Sequence, residues 1–521
     1  MANDRFLSIL RYPASQFSIR VILTVGGGLL SGFAYPRENV WWVIFVSVAC
    51  LFAAIKSMGF FSATLLGFLG GLAFYLSQIE WLSLYLGWLP WVALSTMQAV
   101  FFALGMGLSA VVWRWLDSRI LAASRVIWIP LAMATIWTAR EWFSSHWPYG
   151  GFPWSRLAQS QSDSFLATWV YYGGLPLLTF VIAFVSVLLL MAIVERRLGG
   201  NTKRAVAFLL AMVVPLFPVA SAAPENGSVV VGAVQGNANA GLFANPVPGS
   251  ILAKHLEATK MLKTDPLYKS LQLVVWPENA ADLSPLENPV AKVIMTNLVD
   301  NVLKVPIIFG TITRRGEDVF NSLIQWEPGK SMVDLYDKKR PIPFAEYVPD
   351  RDFWYPLAPD LIGLISHGYS FGTRDGIFDV AGAKFGSLIC FEIAIDELSR
   401  DLVQQGAQVI LAQSNNSDFG YSDETFQQAA IAKLRAIETG RPIVYDSTVG
   451  ASAVYMPDGT VVDQLDAFTR GAFIASLPLR TSLTPAMVVG VWFDWIVNFF
   501  AMCLALAIFI VWVRNRRGSK A

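Results

Sequence analysis

Residues 385–393 read Phe385-Gly386-Ser387-Leu388-Ile389-Cys390-Phe391-Glu392-Ile393. The first five form a short apolar run of strand character, and the residues that follow break it with a thiol and an acid. Cys390 therefore sits where a buried strand yields to a turn. A side chain at that point is presented at a sheet's edge with a backbone N–H beside it, which is the setting a covalent nucleophile uses. A core cysteine at a strand end is the simpler reading of this stretch taken alone, so its surroundings must decide.

Outward from Cys390 the same grammar extends in both directions. Strand-like runs occur at 228–235, 271–276, 306–313, 321–326, 384–390, 407–413, 442–448 and 451–456, with helical stretches at 249–264, 288–303 and 423–439. Pro457, Asp458, Gly459 and Thr460 form a hairpin turn. This predicts an α+β or α/β layered domain, and about 250 residues is enough for a core of its own. No internal repeat or low-complexity stretch interrupts it.

Beyond this domain the composition changes. The 521 residues are 55% apolar and 15% charged, with a mean hydropathy of +0.49, which excludes a disordered, nucleic-acid-binding or collagen-like chain. The net charge of +1 conceals a division. Residues 1–222 hold 14 Lys and Arg against 7 Asp and Glu, residues 223–480 hold 21 against 30, and residues 481–521 hold 4 against 1. A cationic, charge-poor part thus brackets an acidic part of ordinary charge density. The expected organisation is a transmembrane domain of seven helices over 1–222, one soluble domain over 223–480, and a final transmembrane helix with its tail over 481–521.

Spans of about 20 residues are predicted near 18–36, 40–56, 58–78, 88–113, 122–139, 167–194, 204–222 and 487–513, the second and fifth being the least regular. Gly67, Gly70 and Gly71 suit close helix packing. With the N-terminus inside, the inner segments hold Arg5, Arg11, Arg20, Lys56, Arg114, Arg119, Arg125, Arg196, Arg197, Lys203, Arg204, Arg514, Arg516, Arg517 and Lys520. The outer loops hold Arg37, Arg140 and Arg156. This bias predicts cytoplasmic termini and an outward-facing acidic domain. Arg20 opens a span that runs on through Gly26, Gly27 and Gly28, so no cleaved signal peptide is expected. Ala220, Ser221 and Ala222 resemble a cleavage site, but cutting there would free the domain from seven of its eight anchors. The loop holding Arg140, Glu141, Trp142 and Tyr149 to Arg156 reads as an aromatic belt at the headgroups in preference to a substrate-contacting loop.

The chain has three cysteines and three histidines. Cys50 and Cys503 lie in apolar runs and read as small buried hydrophobes. Cys390 has no disulfide partner in its domain, and cysteines and histidines this scattered build no zinc site of the usual kind. His146, His255 and His367 each lack the setting of a catalytic base. A carboxylate is the alternative, and Glu278 ends the run Leu273-Val274-Val275-Trp276-Pro277, although surface acids after strands are common. The third element is Tyr336-Asp337-Lys338-Lys339-Arg340-Pro341-Ile342-Pro343-Phe344-Ala345-Glu346-Tyr347-Val348-Pro349. Alone it reads as a solvated basic turn; beside a thiol, a lysine there would stabilise an acyl oxyanion.

In the order Glu278, Lys338, Cys390, these pieces resemble the Glu-Lys-Cys triad of the nitrilase superfamily. Their fusion to eight spans resembles the apolipoprotein N-acyltransferase family. The likeness covers nearly the whole chain, through Gly32 to Pro36, Gly151 to Trp154, Val234 to Asn237, Trp276 to Glu278, Tyr336 to Pro349, Ile389 to Glu392, and Ser414 and Asn415 leading to Arg435, Glu438 and Arg441.

The resemblance implies an αββα sandwich on the extracytoplasmic face of the bacterial cytoplasmic membrane and a ping-pong reaction. Glu278 would take the thiol proton and Cys390 would attack a phospholipid ester, while Lys338 and the N–H of Phe391 hold the oxyanion. The α-amine of a diacylglyceryl-modified apolipoprotein would then take the acyl chain from the thioester. No metal, nucleotide or other cofactor is implied. Glu346 would support Lys338 and Glu392 would support the nucleophile, a structural salt bridge being the other reading of each. Phe353, Trp354 and Tyr355 would form an apolar arm admitting lipid, or else core.

The chain departs from the family pattern at Phe391, where many members carry Tyr, and at Ala345, where they carry Gly. Asn416, Ser417 and Asp418 replace the more usual Asp-Ala-Trp, and Phe243 is the nearest aromatic to a Trp often found after the Gln-Gly-Asn. A membrane-anchored amidase acting on a small amide is the alternative function. A catalytically dead scaffold is a third, against which all three triad residues are retained.

Overall fold

An uninterrupted apolar run in lipid satisfies its backbone hydrogen bonds only by coiling into a helix or joining a closed sheet. In the computed structural model, which describes residues 13–194, 207, 221–241, 247–365 and 368–518, the first of two units is accordingly helical. It comprises the described residues within Met1–Ser83, Gly87–Phe217 and Val489–Ala521. Its helices are α1 (Pro13–Leu30), α2 (Val43–Ile55), α3 (Phe60–Gln78), α4 (Trp88–Arg119), α5 (Ala122–His146) and α6 (Trp169–Val194). The last helix, α11 (Pro485–Gly518), enters this unit from the second.

Five segments among the described residues are long and apolar enough to cross a membrane, namely Phe17–Ala34, Phe60–Gln78, Trp88–Arg119, Phe165–Ile193 and Pro485–Arg514. They coincide with the first, third, fourth, sixth and eighth predicted spans. The second predicted span is a shorter apolar helix of 13 residues, α2. The fifth is the 25-residue helix α5, which carries Arg125, Arg140 and Glu141. The seventh, 204–222, lies outside the described residues apart from Ala207, Ser221 and Ala222, as do Phe243 and His367.

Small residues set the helix spacing. A Cβ added at Gly71 of α3 would stand 2.7 Å from Phe102 Cβ of α4, and one at Gly28 of α1 would stand 2.5 Å from the Gly70 carbonyl oxygen. The charged loop departs from the headgroup-belt expectation. Arg140, Glu141, Trp154 and Arg156 are all buried. Arg140 donates to the Tyr75 hydroxyl at 2.9 Å and lies over the Phe102 and Trp137 rings. Glu141 accepts from Trp137 Nε1 at 2.8 Å and Thr179 Oγ1 at 2.9 Å. These partners satisfy the charges within the unit, so they need no headgroup. Within the protein itself Cys50 is half-buried and Cys503 is exposed, each on an apolar helix. The reason for Cys503 is that α11 buries few of its side chains.

The second unit, Leu84–Leu86 with Pro218–Val488, contains twelve strands among its described residues. They are β1 (Ser228–Gln235), β2 (Leu273–Val275), β3 (Ile307–Arg315), β4 (Asp318–Glu327), β5 (Ser331–Asp337), β6 (Ile377–Val380), β7 (Ala383–Ile389), β8 (Val409–Ser414), β9 (Ile443–Ser447), β10 (Ala453–Tyr455), β11 (Val461–Gln464) and β12 (Gly471–Pro478). Two six-stranded sheets run in the orders β12-β1-β2-β3-β4-β5 and β11-β10-β9-β8-β7-β6. The central neighbours β1, β2, β3 and β7, β8, β9 are parallel, and the flanking pairs are antiparallel.

Period-two alternation assigns the faces. Val229, Val231, Leu273, Val275, Ile308 and Leu323 of one sheet join Phe385, Ile389, Val409, Leu411 and Val444 of the other in a single core. The intervening Val234, Val274, Trp276, Ile307, Phe309 and Ile324 face outward onto α7 (Ser250–Thr259) and α8 (Pro289–Asn297), through Leu252, Ala258, Ala291 and Met295. Helices α9 (Asp396–Gln404) and α10 (Asp423–Thr439) cover the second sheet. The result is an αββα sandwich.

The eight strands predicted from sequence are the eight interior ones. The four not predicted, β5, β6, β11 and β12, are the four edges. An edge strand pairs on one side only, and β5 and β11 leave nearly all their residues exposed or half-buried, with no regular apolar alternation.

Candidate active site

Three strand ends converge here. β2 ends at Val275, and Trp276 and Pro277 carry the chain to Glu278 in a tight turn completed by Asn279 at φ +55°. β3 must pass very close to that turn. A Cβ at Gly310 would lie 2.6 Å from Glu278 Cα, Asn279 N and the Pro277 oxygen, so this position requires glycine. β5 ends at Asp337, which places Lys338 next, its N–H donating to the Asn321 carbonyl at 2.9 Å. β7 ends at Ile389, and Cys390 follows at φ +54°, opening a short 3-10 helix, Cys390–Ala394. A left-handed non-glycine residue is strained, and here the strain turns the thiol out of the strand line.

The side chains meet. Lys338 Nζ lies 3.5 Å from Glu278 Oε1 and 2.8 Å from Glu346 Oε2. Asn321 Nδ2 donates to Glu278 Oε1 at 2.6 Å and to Glu346 Oε1 at 3.1 Å. Cys390 lies close enough to Glu278 and Lys338 to feel both charges, the carboxylate raising the thiol and the ammonium lowering it. Cys390 is 8% exposed, Glu278 4% and Lys338 1%, so bulk water has little access to the reacting atoms.

Burial governs the protonation states. It pushes Glu278 up to about 6, opposed by Lys338 and reinforced by Glu346. It pushes the Cys390 thiol up to about 12, with Glu278 adding and Lys338 opposing. Burial alone would pull Lys338 down, but Glu346, Glu278 and Cys390 together hold it above the ordinary lysine value. At neutral pH the site therefore holds a thiol, a carboxylate able to accept its proton, and a standing ammonium.

Glu392 lies in the same short turn as Cys390 and ties it to the loop that carries Lys338. Its carboxylate accepts from Ile389 N, just before Cys390, at 2.9 Å, and across the gap from Lys339 N at 2.8 Å, Arg340 N at 3.0 Å and the Tyr336 hydroxyl at 2.9 Å. Glu346 is a salt-bridge partner of Lys338, and its Oε2 accepts the Ile342 N–H at 2.8 Å. Phe391 lies in the first turn after Cys390 and is half-buried. Phe353 and Tyr355 are 64% and 46% exposed, so these aromatics are not core. His255 is buried against Trp276, and burial pulls it down to about 4. No group of three or more His, Cys, Asp or Glu among the described residues is arranged to hold a metal ion.

Two residues of the cluster escape sequence reasoning. Asn321 is a polar residue on the inward side of β4, in register with Leu323, and that misplaced polarity was its only signal. Gln428 lies in α10, and its Nε2 stands 3.6 Å from Cys390 Sγ.

Comparison with known proteins follows the two units. Residues 27–188 match the apolipoprotein N-acyltransferase N-terminal domain, and residues 231–482 match the carbon-nitrogen hydrolase domain. An apolipoprotein N-acyltransferase from Mycolicibacterium smegmatis is 32% identical over 89% of this chain and 80% of its own length. Those of Shewanella oneidensis and Photobacterium profundum are 27% and 25% identical, over 90% and 97% of this chain and 91% and 97% of theirs. Among solved structures, an amidase of the nitrilase superfamily from Nesterenkonia AN1 aligns with 53% of this chain and 100% of its own at a TM-score of 0.39 and 15% identity. On the strength of its sequence relatives, the chain belongs to the apolipoprotein N-acyltransferase family.

Proposed function

We propose that this protein is a membrane-bound acyltransferase that moves an acyl chain from a phospholipid to the N-terminal S-diacylglyceryl cysteine of apolipoproteins. Its catalytic part is residues 223–480, anchored by seven spans within 1–222 and an eighth within 481–521. The domain faces the outside of the bacterial cytoplasmic membrane, and both termini face the cytoplasm. The excess of Lys and Arg in the inner segments supports that orientation.

The observation that carries the reading is the meeting of Cys390, Glu278 and Lys338 in one buried cluster, in a chain of this family. Glu278 takes the thiol proton as the sulfur attacks the ester carbonyl. A thiol pushed up to about 12 does not stand ionised at neutral pH, so attack and proton transfer go together. Lys338 and the N–H of Phe391 stabilise the tetrahedral oxyanion. Glu278 then protonates the departing lysophospholipid oxygen and leaves Cys390 as a thioester. In the second step the amine attacks, the C–S bond breaks, and Glu278 receives the amine proton.

Low exposure of the cluster protects the thioester from hydrolysis. A membrane site suits the substrates, because extracting an acyl chain into water costs about 0.8 kcal/mol per CH₂. The exposed Phe353 and Tyr355 supply an apolar surface for that chain. The test is purified protein with phospholipid and a diacylglyceryl lipopeptide, read by mass spectrometry. One added acyl chain on the lipopeptide amine is expected from wild type and none from Cys390→Ala. Fatty acid release without transfer would favour a hydrolase.

A further inference from the structure

The reacting sulfur has a polar neighbour that the triad does not include. Helix α10 sets Gln428 behind the Cys390 turn, and the side-chain NH₂ donates to Cys390 Sγ at 3.6 Å. The amide cannot rotate freely. Its oxygen accepts three hydrogen bonds, from Ser414 Oγ at 2.7 Å, Asn416 Nδ2 at 2.8 Å and the Tyr445 hydroxyl at 2.9 Å. Turning it over would set an NH₂ against the Asn416 NH₂ and require the Ser414 and Tyr445 hydroxyls to reverse their roles, in a place with little water, since Gln428 is 1% exposed and Asn416 and Tyr445 are 0%.

Asn416 is fixed in turn. Its Nδ2 also donates to Glu424 Oε2 at 2.6 Å, and its Oδ1 accepts from Ser447 Oγ. Glu424 is itself buried, from the first turn of α10. This network occupies the position where the chain departs from the family pattern, at Asn416.

The chemistry needs such a donor. The ionisable groups around the sulfur are Glu278, Lys338, Glu424 and Glu346. Burial pushes Glu424 up to about 8, so at neutral pH it is largely protonated, and Glu278 and Glu346 are the carboxylates that face the one ammonium. Lys338 is already engaged by both of those carboxylates. A neutral N–H aimed at sulfur lowers the cost of negative charge there without attracting a further counter-charge.

We propose that Gln428 is a further catalytic residue, whose side-chain N–H stabilises the charge on Cys390 sulfur, with Asn416 and Glu424 as positioning residues that act through its amide. The role is needed twice. In the first step the sulfur gives its proton to Glu278 and forms a C–S bond. In the second, the amine nitrogen bonds to the acyl carbon, the C–S bond breaks with its electron pair on sulfur, and the amine proton passes to Glu278. This inference rests on Cys390 being the nucleophile of the proposed function.

The test is the rate of Cys390 alkylation by iodoacetamide against pH, on the full chain in detergent micelles, read by mass spectrometry at the Cys390 peptide. Alkylation does not depend on acyl transfer, so a failed transfer assay and a failed Gln428 effect are separate outcomes. Gln428→Met is expected to slow alkylation about tenfold or more at neutral pH and to displace the rate profile upward by about one pH unit. Tyr445→Phe disturbs the same network but leaves the NH₂ in place, and is expected to stay within about threefold of wild type. If Gln428→Met does not purify folded, Gln428→Asn keeps a neutral amide but withdraws its NH₂ from the sulfur by one methylene, and the same slowing is expected. A Gln428 variant with the wild-type profile, or equal slowing by Tyr445→Phe, would overturn the proposal.

Discussion

Glu392 and Lys339 join two catalytic loops that are distant in sequence. The Glu392 carboxylate, one turn beyond Cys390, accepts the Lys339 N–H at 2.8 Å, directly after Lys338. The same carboxylate receives Ile389 N, Arg340 N and the Tyr336 hydroxyl. One buried side chain thus fixes the distance between the sulfur and the ammonium. Burial pushes Glu392 up, and these donors hold against it. Glu392→Gln replaces one accepting oxygen with a donor facing N–H groups. It is expected to cost about 2 kcal/mol in thermal unfolding and to slow acyl transfer roughly 100-fold through misplacement. A variant with wild-type turnover would show that the loops are held by other means.

Gly310 makes a comparable demand on the base. Because an added Cβ would meet Glu278 Cα at 2.6 Å, Gly310→Ala is expected to push the Glu278 turn off the sulfur. The cost in stability should be about 1–3 kcal/mol, and the loss of acylation rate should be roughly tenfold or more. Circular dichroism and single-turnover acylation, measured together, separate the two effects.

The pH dependence follows from Glu278. As a base it must be ionised, and burial pushes it up to about 6. Acylation is therefore expected to fall as pH drops through that value and to level off above it. Lys338, held above the ordinary lysine value, stays charged across this window and contributes no falling limb. Pre-steady-state acylation from about pH 5 to about pH 8 measures this, and a flat profile would exclude Glu278 as the titrating base.

Lys338 balances two buried carboxylates, at 3.5 Å and 2.8 Å. Lys338→Met removes the only cation of that group and leaves Glu278 and Glu346 facing each other. The expected result is loss of acylation together with about 3–5 kcal/mol of stability. Glu346→Gln in the same background should recover part of the stability and none of the activity, as read by thermal unfolding.

What the sequence disclosed follows from physical causes. The interior strands were legible because both faces are covered, which demands continuous apolar runs such as Leu273 to Val275. The edge strands were not, since Ser331 to Asp337 pairs along one side only. Glu278, Lys338 and Cys390 could be located because each interrupts a strand at its end. Asn321 and Gln428 reach the same cluster across 43 and 38 positions of sequence, to Glu278 and to Cys390, from inside a strand and a helix. Nothing local distinguishes them from ordinary polar residues. Arg140 and Glu141 misled in the opposite sense, for charges beside aromatics read as interfacial until their buried partners Tyr75 and Thr179 are known.

The most direct measurement is the mass of the purified protein after incubation with a phospholipid of defined acyl chains and no acceptor. One acyl chain is expected on the peptide containing Cys390, labile to hydroxylamine, and discharged on adding a diacylglyceryl lipopeptide that gains the same mass. An acyl chain on any other residue, or transfer at the wild-type rate by Cys390→Ala, would contradict the thioester mechanism.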